Sequence, residues 1–431
     1  MPQARTLVLM VLFLAGGPLG CAANRYGCAD DECSGEAGAT VPTPGQPGPV
    51  AIDLSAVPTF EAFPKTAAEA AVPQQYRILN AQQCQCLAAA NSTLGNLLAE
   101  ESQAMFSAHP CGHGKPVSSS SLQANLLAYR SVDERNRSAG AALECFYLLA
   151  ETEFNRSVLD RGLARIDQSI KELEQARDSG LAVPVDESVL GRQRLDLLDQ
   201  KTQLEGSAAQ LQARLARLLG LPHETSQPLW AAADFAVTVV PIDVDEAVRQ
   251  GLANRADLGM LSMLREHLSI GNLGAVRAGL GVLDPMLGSP SPAGCGLGLL
   301  LHHAGDSQEL ATREAQLDRA VSDQCRAAEE EIRQAVSNVE LRLRQIAVGK
   351  EKLEGCREHL DRLRQQAKAD GAMLPEITSA DLETMRAESD AVHRVAAWRI
   401  AEAKLKQAQG LLAPECGYPL PQSCSGSCGS P

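Results

Sequence analysis

At 431 residues with a formal net charge of −14, this chain is too long for one compact core, since cores stop growing near about 250–300 residues. It is also too acidic for a nucleic-acid binder, which needs a basic surface to displace counterions. Aromatic residues are only 3 % of the chain, while Ala, Leu, Gln, Glu and Arg dominate its middle and end, so packing must come from small aliphatic side chains at helix seams.

The first 21 residues read as an export address. Arg5 supplies a short positive region, and Leu7 to Ala15 form an apolar stretch too short to span a bilayer. Cys21 follows Pro18-Leu19-Gly20, which resembles a bacterial lipoprotein signal in which Cys21 is lipidated and becomes the mature N-terminus. Residues 22–75, rich in Gly, Pro, Ala and Thr, are expected to be a flexible linker. No other segment has the roughly 18 unbroken apolar residues of a transmembrane helix. There are 13 cysteines. In an exported protein Cys28/Cys33, Cys84/Cys86 and Cys424/Cys428 are spaced to pair locally as disulfides or to stay free, and one sequence does not choose between these.

A helical pattern runs from Tyr76 to Ala104 and breaks between Phe106 and Ser121, where Pro, Gly, His and serines end any helix. A long helix is predicted from Ser121 to Asp178, with Leu159, Leu163, Ile166, Ile170 and Leu173 at seam spacing. After a bend, Leu190, Leu197, Leu204, Leu211 and Leu218 recur at heptad spacing, alternating with Arg194, Lys201, Ala208 and Leu215. Leu218-Leu219-Gly220-Leu221-Pro222 is a helix stop with Gly just past the end. A linker holding Ala236-Val-Thr-Val-Val-Pro241 leads to a short helix capped by Asp243. Residues 271–306 are Gly- and Pro-rich, and Val276 to Leu283 and Gly294 to His302 carry a weak strand pattern. A second long helix is predicted from Gln308 to Asp370, with the seam Ile332, Val336, Val339, Leu343, Ile346, Leu353 and Leu360. Beyond another bend, Leu382, Met385, Val392, Ala396 and Ala403 continue the register.

The two halves are copies. Gly180 precedes Pro184 and Gly371 precedes Pro375 by the same interval. The bend glycines are separated by 371 − 180 = 191 positions and the closing Leu-Leu pairs by 411 − 218 = 193. In each bend the glycine suits a left-handed helix end, the proline suits the next helix's first turn, and Asp186 or Glu376 sits at that helix's positive terminus.

These residues resemble the TolC-like outer-membrane efflux protein family over about residues 76–413. The closest pieces are Ser179-Gly-Leu-Ala-Val-Pro-Val-Asp186 at the first tip, Leu215-Ala-Arg-Leu-Leu-Gly-Leu-Pro222, and Asn254-Arg-Ala-Asp-Leu258, which is similar to the family's Asn-Arg-Pro-Asp-Leu. The resemblance implies a duplicated pair of helical hairpins with two strands inserted in each half, three protomers joining into a twelve-stranded barrel continued by a helical tunnel. It implies that hairpin tips meet a periplasmic adaptor, which puts Gly180, Leu181 and Asp186 at the contact and Gly371 at the equivalent place in the second half, where Ile377 stands in for Asp186. Lipidated members fit Cys21. The inserts of this chain are short and aromatic-poor, unlike barrel strands with aromatic girdles.

The expectation is therefore a mainly α fold, duplicated long antiparallel coiled-coil hairpins with short β inserts and weak or reduced barrel strands. Its parts are a signal peptide (1–21), a linker (22–75), a first repeat (76–241, tip 180–186), a second repeat (242–413, tip 371–377, possible strands 276–302) and a disordered Cys/Gly/Ser tail (414–431). Its expected role is a passive, homotrimeric export conduit of the bacterial outer membrane, coupled to an adaptor and an inner-membrane transporter. The alternative is a lipid-anchored periplasmic scaffold without a conducting barrel. No nucleophile elbow, phosphate loop or paired-carboxylate site is present, so neither catalysis nor a cofactor is expected. His109-Pro-Cys111-Gly-His113 does not match a zinc spacing, so no metal is expected either.

Overall fold

In a computed structural model, residues 77–108, 118–179, 187–221, 228–283, 302–370 and 374–421 are described. The first repeat is strand β1 (Arg77–Leu79), short helices α1 (Ala81–Ala90) and α2 (Thr93–Ala108), the long helix α3 (Ser119–Asp178) and its return α4 (Glu187–Leu218). The second is β2 (Leu229–Ala231), α5 (Val244–Asn254), α6 (Ala256–Glu266), α7 (Leu273–Leu283), the long helix α8 (His302–Asp370) and its return α9 (Leu374–Ala408). Strand, two short helices, long helix and return thus occur twice in the same order, with α7 as an addition in the second. β1 and β2 join the repeats as a parallel pair, Arg77 opposite Leu229 and Leu79 opposite Ala231.

Local sequence sets the ends of these elements. Asn80 starts α1 with a capping box: its side chain accepts from the Gln83 N–H at 2.8 Å, and Gln83 accepts from the Asn80 N–H at 3.0 Å. Asp243 caps α5, as its position suggests, accepting from the N–H groups of Asp245 and Glu246 at 3.0 and 3.2 Å. Both return helices end in the same Schellman motif. The Leu221 N–H donates to the Ala216 carbonyl at 2.9 Å and Gly220 to Arg217 at 3.2 Å, while Leu411 donates to Lys406 and Gly410 to Gln407, each at 3.0 Å. Gly220 and Gly410 take φ of 67° and 73°, the left-handed region that only glycine enters cheaply.

The heptad seams are the core. On α8, Ile332, Val336, Val339, Leu343, Ile346, Leu353 and Leu360 are all buried, as are Val392, Ala396 and Ala403 on α9 and Leu190, Leu197 and Leu215 on α4. Trp398 and Phe146 add the few large side chains, both buried in the same cluster as most of the α8 seam.

Several expectations need correction. The pattern from Tyr76 to Ala104 is a short strand followed by two helices that break at Asn91-Ser92. Residues 276–283, read as a possible strand, lie in α7, because Leu273, Val276 and Leu280 fall on one helical face and are buried against α3 and α6; residues 284–301 lie outside the described residues. Of the tail, residues 414–421 are described and pack on the helices, and residues 422–431 lie outside the described residues. Cys86, in α1, forms a disulfide with Cys416, while Cys84 is a buried free thiol that burial pushes up to about 12. A strap from Leu411 to Pro421 is further held by Gln85, which donates to the Leu412 carbonyl at 3.0 Å, and by the Tyr418 ring 4.2 Å from the Arg135 guanidinium. The segment after β2 is extended and has no partner strand among the described residues: Ala233, Phe235 and Val237 are buried and alternate with exposed Asp234, Ala236 and Thr238.

Candidate functional site

The four long helices form a wall in the order α4–α3–α9–α8, and polar rungs set its register. Between α3 and α9 the rungs are Glu144–Lys404 (3.2 Å), Glu151–His393 (2.8 Å), Asn155–Ser389 (2.6 Å), Arg161–Glu388 (2.9 Å), Arg165–Asp381 (3.3 Å) and Ser169–Thr378 (2.8 Å). As the α3 number rises by 169 − 144 = 25, the α9 partner falls by 404 − 378 = 26, so these helices are antiparallel. Asp167–Arg194 and Asp160–Lys201, both at 2.7 Å, do the same for α3 and α4. Lys352–Asp390 (3.1 Å) and Arg364–Asp381 (3.5 Å) do it for α8 and α9. It follows that α3 and α8 run parallel, and that both hairpin bends lie at one end of the wall. At about 1.5 Å per residue α3 and α8 are each roughly 90–100 Å long.

Along the rungs electrostatics are mild. The His393 ring is held above its ordinary value chiefly by its hydrogen bond to Glu151, with burial acting against that. Asp390 is held low: burial opposes its charge, and Lys352 and Arg394 outweigh burial. Glu153 is buried beside Arg156 at 2.7 Å, and its desolvation raises its carboxyl.

The wall has two open edges. On α4 a stripe runs outward through Gly191, Leu195, Thr202, Gly206, Ala209 and Ala213, one face of a helix interrupted by the single charge of Asp199. A Cβ placed on Gly191 or Gly206 would meet nothing within 4 Å, and Leu195 is 63 % exposed. On α8 the outward face carries Leu341, Val348 and Gly355, the first two 49 % and 59 % exposed, interleaved with the exposed charges of Arg344 and Glu351. Neither edge resembles a purely solvated helix, which would carry charge throughout.

At the end opposite the bends, the Asn254-Arg255-Ala256-Asp257-Leu258 segment is a structural hub. Arg255 forks onto Asp257 at 2.7 and 3.1 Å, reaches Glu331 on α8 at 2.5 Å, and donates to the Ala408 carbonyl at 3.1 Å, closing α9. Burial opposes the Asp257 charge, but Arg255, Gln324 and the Leu258 N–H together hold its carboxyl below the usual range. Asn91 stands at the matching place in the first repeat and donates to the Leu219 carbonyl at 2.8 Å, closing α4. The motif's local role was legible only as a family likeness. The closing of distant helices by Arg255 and by Asn91 has no signal in spacing.

The residues singled out from sequence as functional, Cys21, Gly180, Leu181, Asp186 and Gly371, lie outside the described residues, as do His109, Cys111 and His113. The flanks of the two bends lie at one end of the wall: Ser179 ends α3, donating its N–H to the Gln175 carbonyl at 3.1 Å, and α8 ends at Asp370 at that same end. Among the described residues no cluster of three or more His, Cys, Asp or Glu side chains could hold a metal, and no helix is long and apolar enough to cross a membrane.

No family model and no curated protein matches the chain. Solved structures do. The Campylobacter jejuni CmeC outer-membrane channel matches with a TM-score of 0.55 at 9 % identity, over 77 % of this chain and 85 % of that one. The outer-membrane channel OprN matches with a TM-score of 0.51 at 16 % identity, over 68 % and 70 %. The open state of the Neisseria gonorrhoeae MtrE outer-membrane channel matches with a TM-score of 0.50 at 14 % identity, over 77 % and 88 %. The chain has the fold of the outer-membrane channels. These neighbours are channel proteins rather than enzymes. The described residues of this chain hold only the β1–β2 pair and no closed barrel.

Proposed function

We propose that the chain is one segment of the wall of an export conduit at the bacterial outer membrane, a passive passage with no chemistry of its own. Copies, three in the channel family it resembles, join edge to edge around a water-filled lumen. Lipid on Cys21 anchors each copy, and the bends carrying Gly180, Leu181, Asp186 and Gly371 meet a periplasmic adaptor that couples the passage to an inner-membrane transporter. The observation that supports this best is the open four-helix wall with both bends at one end and small or apolar residues on its two free edges.

A ring requires α4 of one copy to meet α8 of the next, continuing the antiparallel alternation. Ala209 follows Glu187, where α4 starts, by the same interval as Val348 precedes Asp370, where α8 ends (209 − 187 = 370 − 348). They therefore stand at one height, about 33 Å from the bends at roughly 1.5 Å per residue. Ala209→Cys and Val348→Cys in one chain are expected to give a ladder of crosslinked oligomers under mild oxidation, ending at a closed species. Only intramolecular or no crosslinks would reject the ring. For the tips, Asp186→Arg is expected to weaken adaptor capture without changing helicity.

A further inference from the structure

The strap that follows α9 is held in two different ways along its length. Leu412 and Ala413 are fully buried. The Leu412 N–H donates to Asn136 Oδ1 at 3.0 Å and its carbonyl accepts from Gln85 at 3.0 Å, so this root is seated against α1 and α3 by burial and hydrogen bonds alone. From Pro414 to Pro421 no residue is buried. This flap is held by the Cys86–Cys416 disulfide, by Glu415 accepting from Gln85 at 2.9 Å and from Lys406 at 2.8 Å, by the Tyr418 ring on Arg135, and by the Tyr129 hydroxyl donating to the Pro421 carbonyl at 3.2 Å. Apart from the covalent bond, these are solvent-accessible contacts, each weak against the entropy lost in ordering the flap.

What the flap covers favours opening. Arg135 is 6 % exposed, with its guanidinium 4.2 Å from the centre of the Tyr418 ring. Its hydrogen bonds run to neutral groups: the Ala89 carbonyl and Asn96 Oδ1, both at 2.7 Å, and Ser131 Oγ at 3.3 Å. A buried cation on neutral partners is costly, and water reaches it once the ring leaves. The stacked ring returns part of that cost. The disulfide decides the balance.

We propose that residues 414–421 are a redox latch: with Cys86 and Cys416 joined the flap is shut over Arg135, and with both as thiols it swings off α1 and α3 about the seated root. Closing is thiol–disulfide exchange with a disulfide oxidant such as glutathione disulfide. The Cys86 thiolate attacks one sulfur of the oxidant, forming a mixed disulfide and expelling one glutathione thiolate. The Cys416 thiolate then attacks the Cys86 sulfur, forming the bridge and expelling the second. The two electrons and two protons lost by the cysteines end on the two glutathione thiols. A dithiol reverses both steps. Cys84 takes no part, because two residues from Cys86 it points to the other side of α1. There it is buried in the core with Phe146 and Leu149, and burial keeps it a thiol. In an oxidising compartment the latch is shut. It is a property of one chain and stands whether or not copies close into a ring.

The test reads Arg135 directly. Folded full-length protein is exposed to an arginine-selective glyoxal with and without dithiothreitol, and modified sites are mapped by mass spectrometry beside amide hydrogen exchange. Reduction is expected to make Arg135 reactive and to strip protection from the flap amides, while α8 and α9 stay protected and Cys84 stays unalkylated. Adding glutathione disulfide in excess is expected to restore both. Tyr418→Ala, with the bridge intact, is expected to make Arg135 reactive without reductant. Arg135 and the flap still protected after Cys86 and Cys416 have been alkylated would overturn the latch. Loss of α8 and α9 protection on reduction would also overturn it, since the bridge would then hold the whole fold. An unreactive Arg135 in Tyr418→Ala would remove Tyr418 as its cover.

Discussion

Gly410 shows how much one residue fixes. With φ of 73°, its Cβ position lies 2.5 Å from the Asn254 carbonyl oxygen, whereas at Gly220, with φ of 67°, the obstacle is the Asn91 side chain at 2.8 Å. Both alanine substitutions incur left-handed strain of about 1–2 kcal/mol, and neither obstacle can rotate away, since a carbonyl oxygen and the Asn91 Cβ are both set by backbone. Gly410→Ala and Gly220→Ala are therefore each expected to lower the denaturation midpoint; an unchanged midpoint in either would refute this account of the two helix ends. Asp257 gives a pH signature. Its folded carboxyl is depressed, so its contribution is complete above the ordinary value of 3.8 and disappears as the pH falls through the lower folded value. Asp257→Asn should flatten that part of the acid unfolding curve and leave the shape near neutral pH unchanged. The Gly220 stop was legible from Leu-Gly-Leu-Pro. The Cys86–Cys416 bridge was not, because its partners are far apart in the chain, at a separation of 330, and the nearer Cys84 competes for attention. Peptide mapping without reductant should recover Cys86 joined to Cys416, and Cys84 should react with alkylating reagent only after unfolding.

Among elements, heptad repeats with strong aliphatic positions were legible nearly residue by residue, since each seam residue reports its own burial. Short elements were not. Residues 276–283 alternate small and apolar side chains, which imitates a strand, yet tertiary burial of Leu273, Val276 and Leu280 selects the helix. The extended segment through Phe235 shows true alternation, and it lies unpaired against the core with the Phe154 ring 6.5 Å away. The rungs between α3 and α9 were also hidden, because they join the two repeats across a long stretch of intervening chain. The Glu151–His393 rung is testable by itself. Since the folded His393 is raised above 6.5, the rung helps below that pH and is lost as pH rises through the folded value. With the ring 59 % exposed the effect on stability is small, so the readout is NMR titration. The His393 midpoint should lie above the ordinary value and drop in Glu151→Gln; an unmoved midpoint would remove the rung.

For the whole molecule, duplication turns two hairpins into a wall, and the proposed function makes the wall's free edges the contacts between copies. Gly206 sits where a side chain meets nothing within the protomer, so Gly206→Arg is expected to leave helicity and monomer stability unchanged while abolishing oligomers. In the proposed reading the bends meet an adaptor and the edges meet neighbouring copies, at separate places along the wall. The most direct measurement is single-particle imaging of the purified full-length protein. End views should show a closed ring of copies around an open lumen lined by helices. Isolated four-helix rods, or a solid bundle with no central space, would contradict the account.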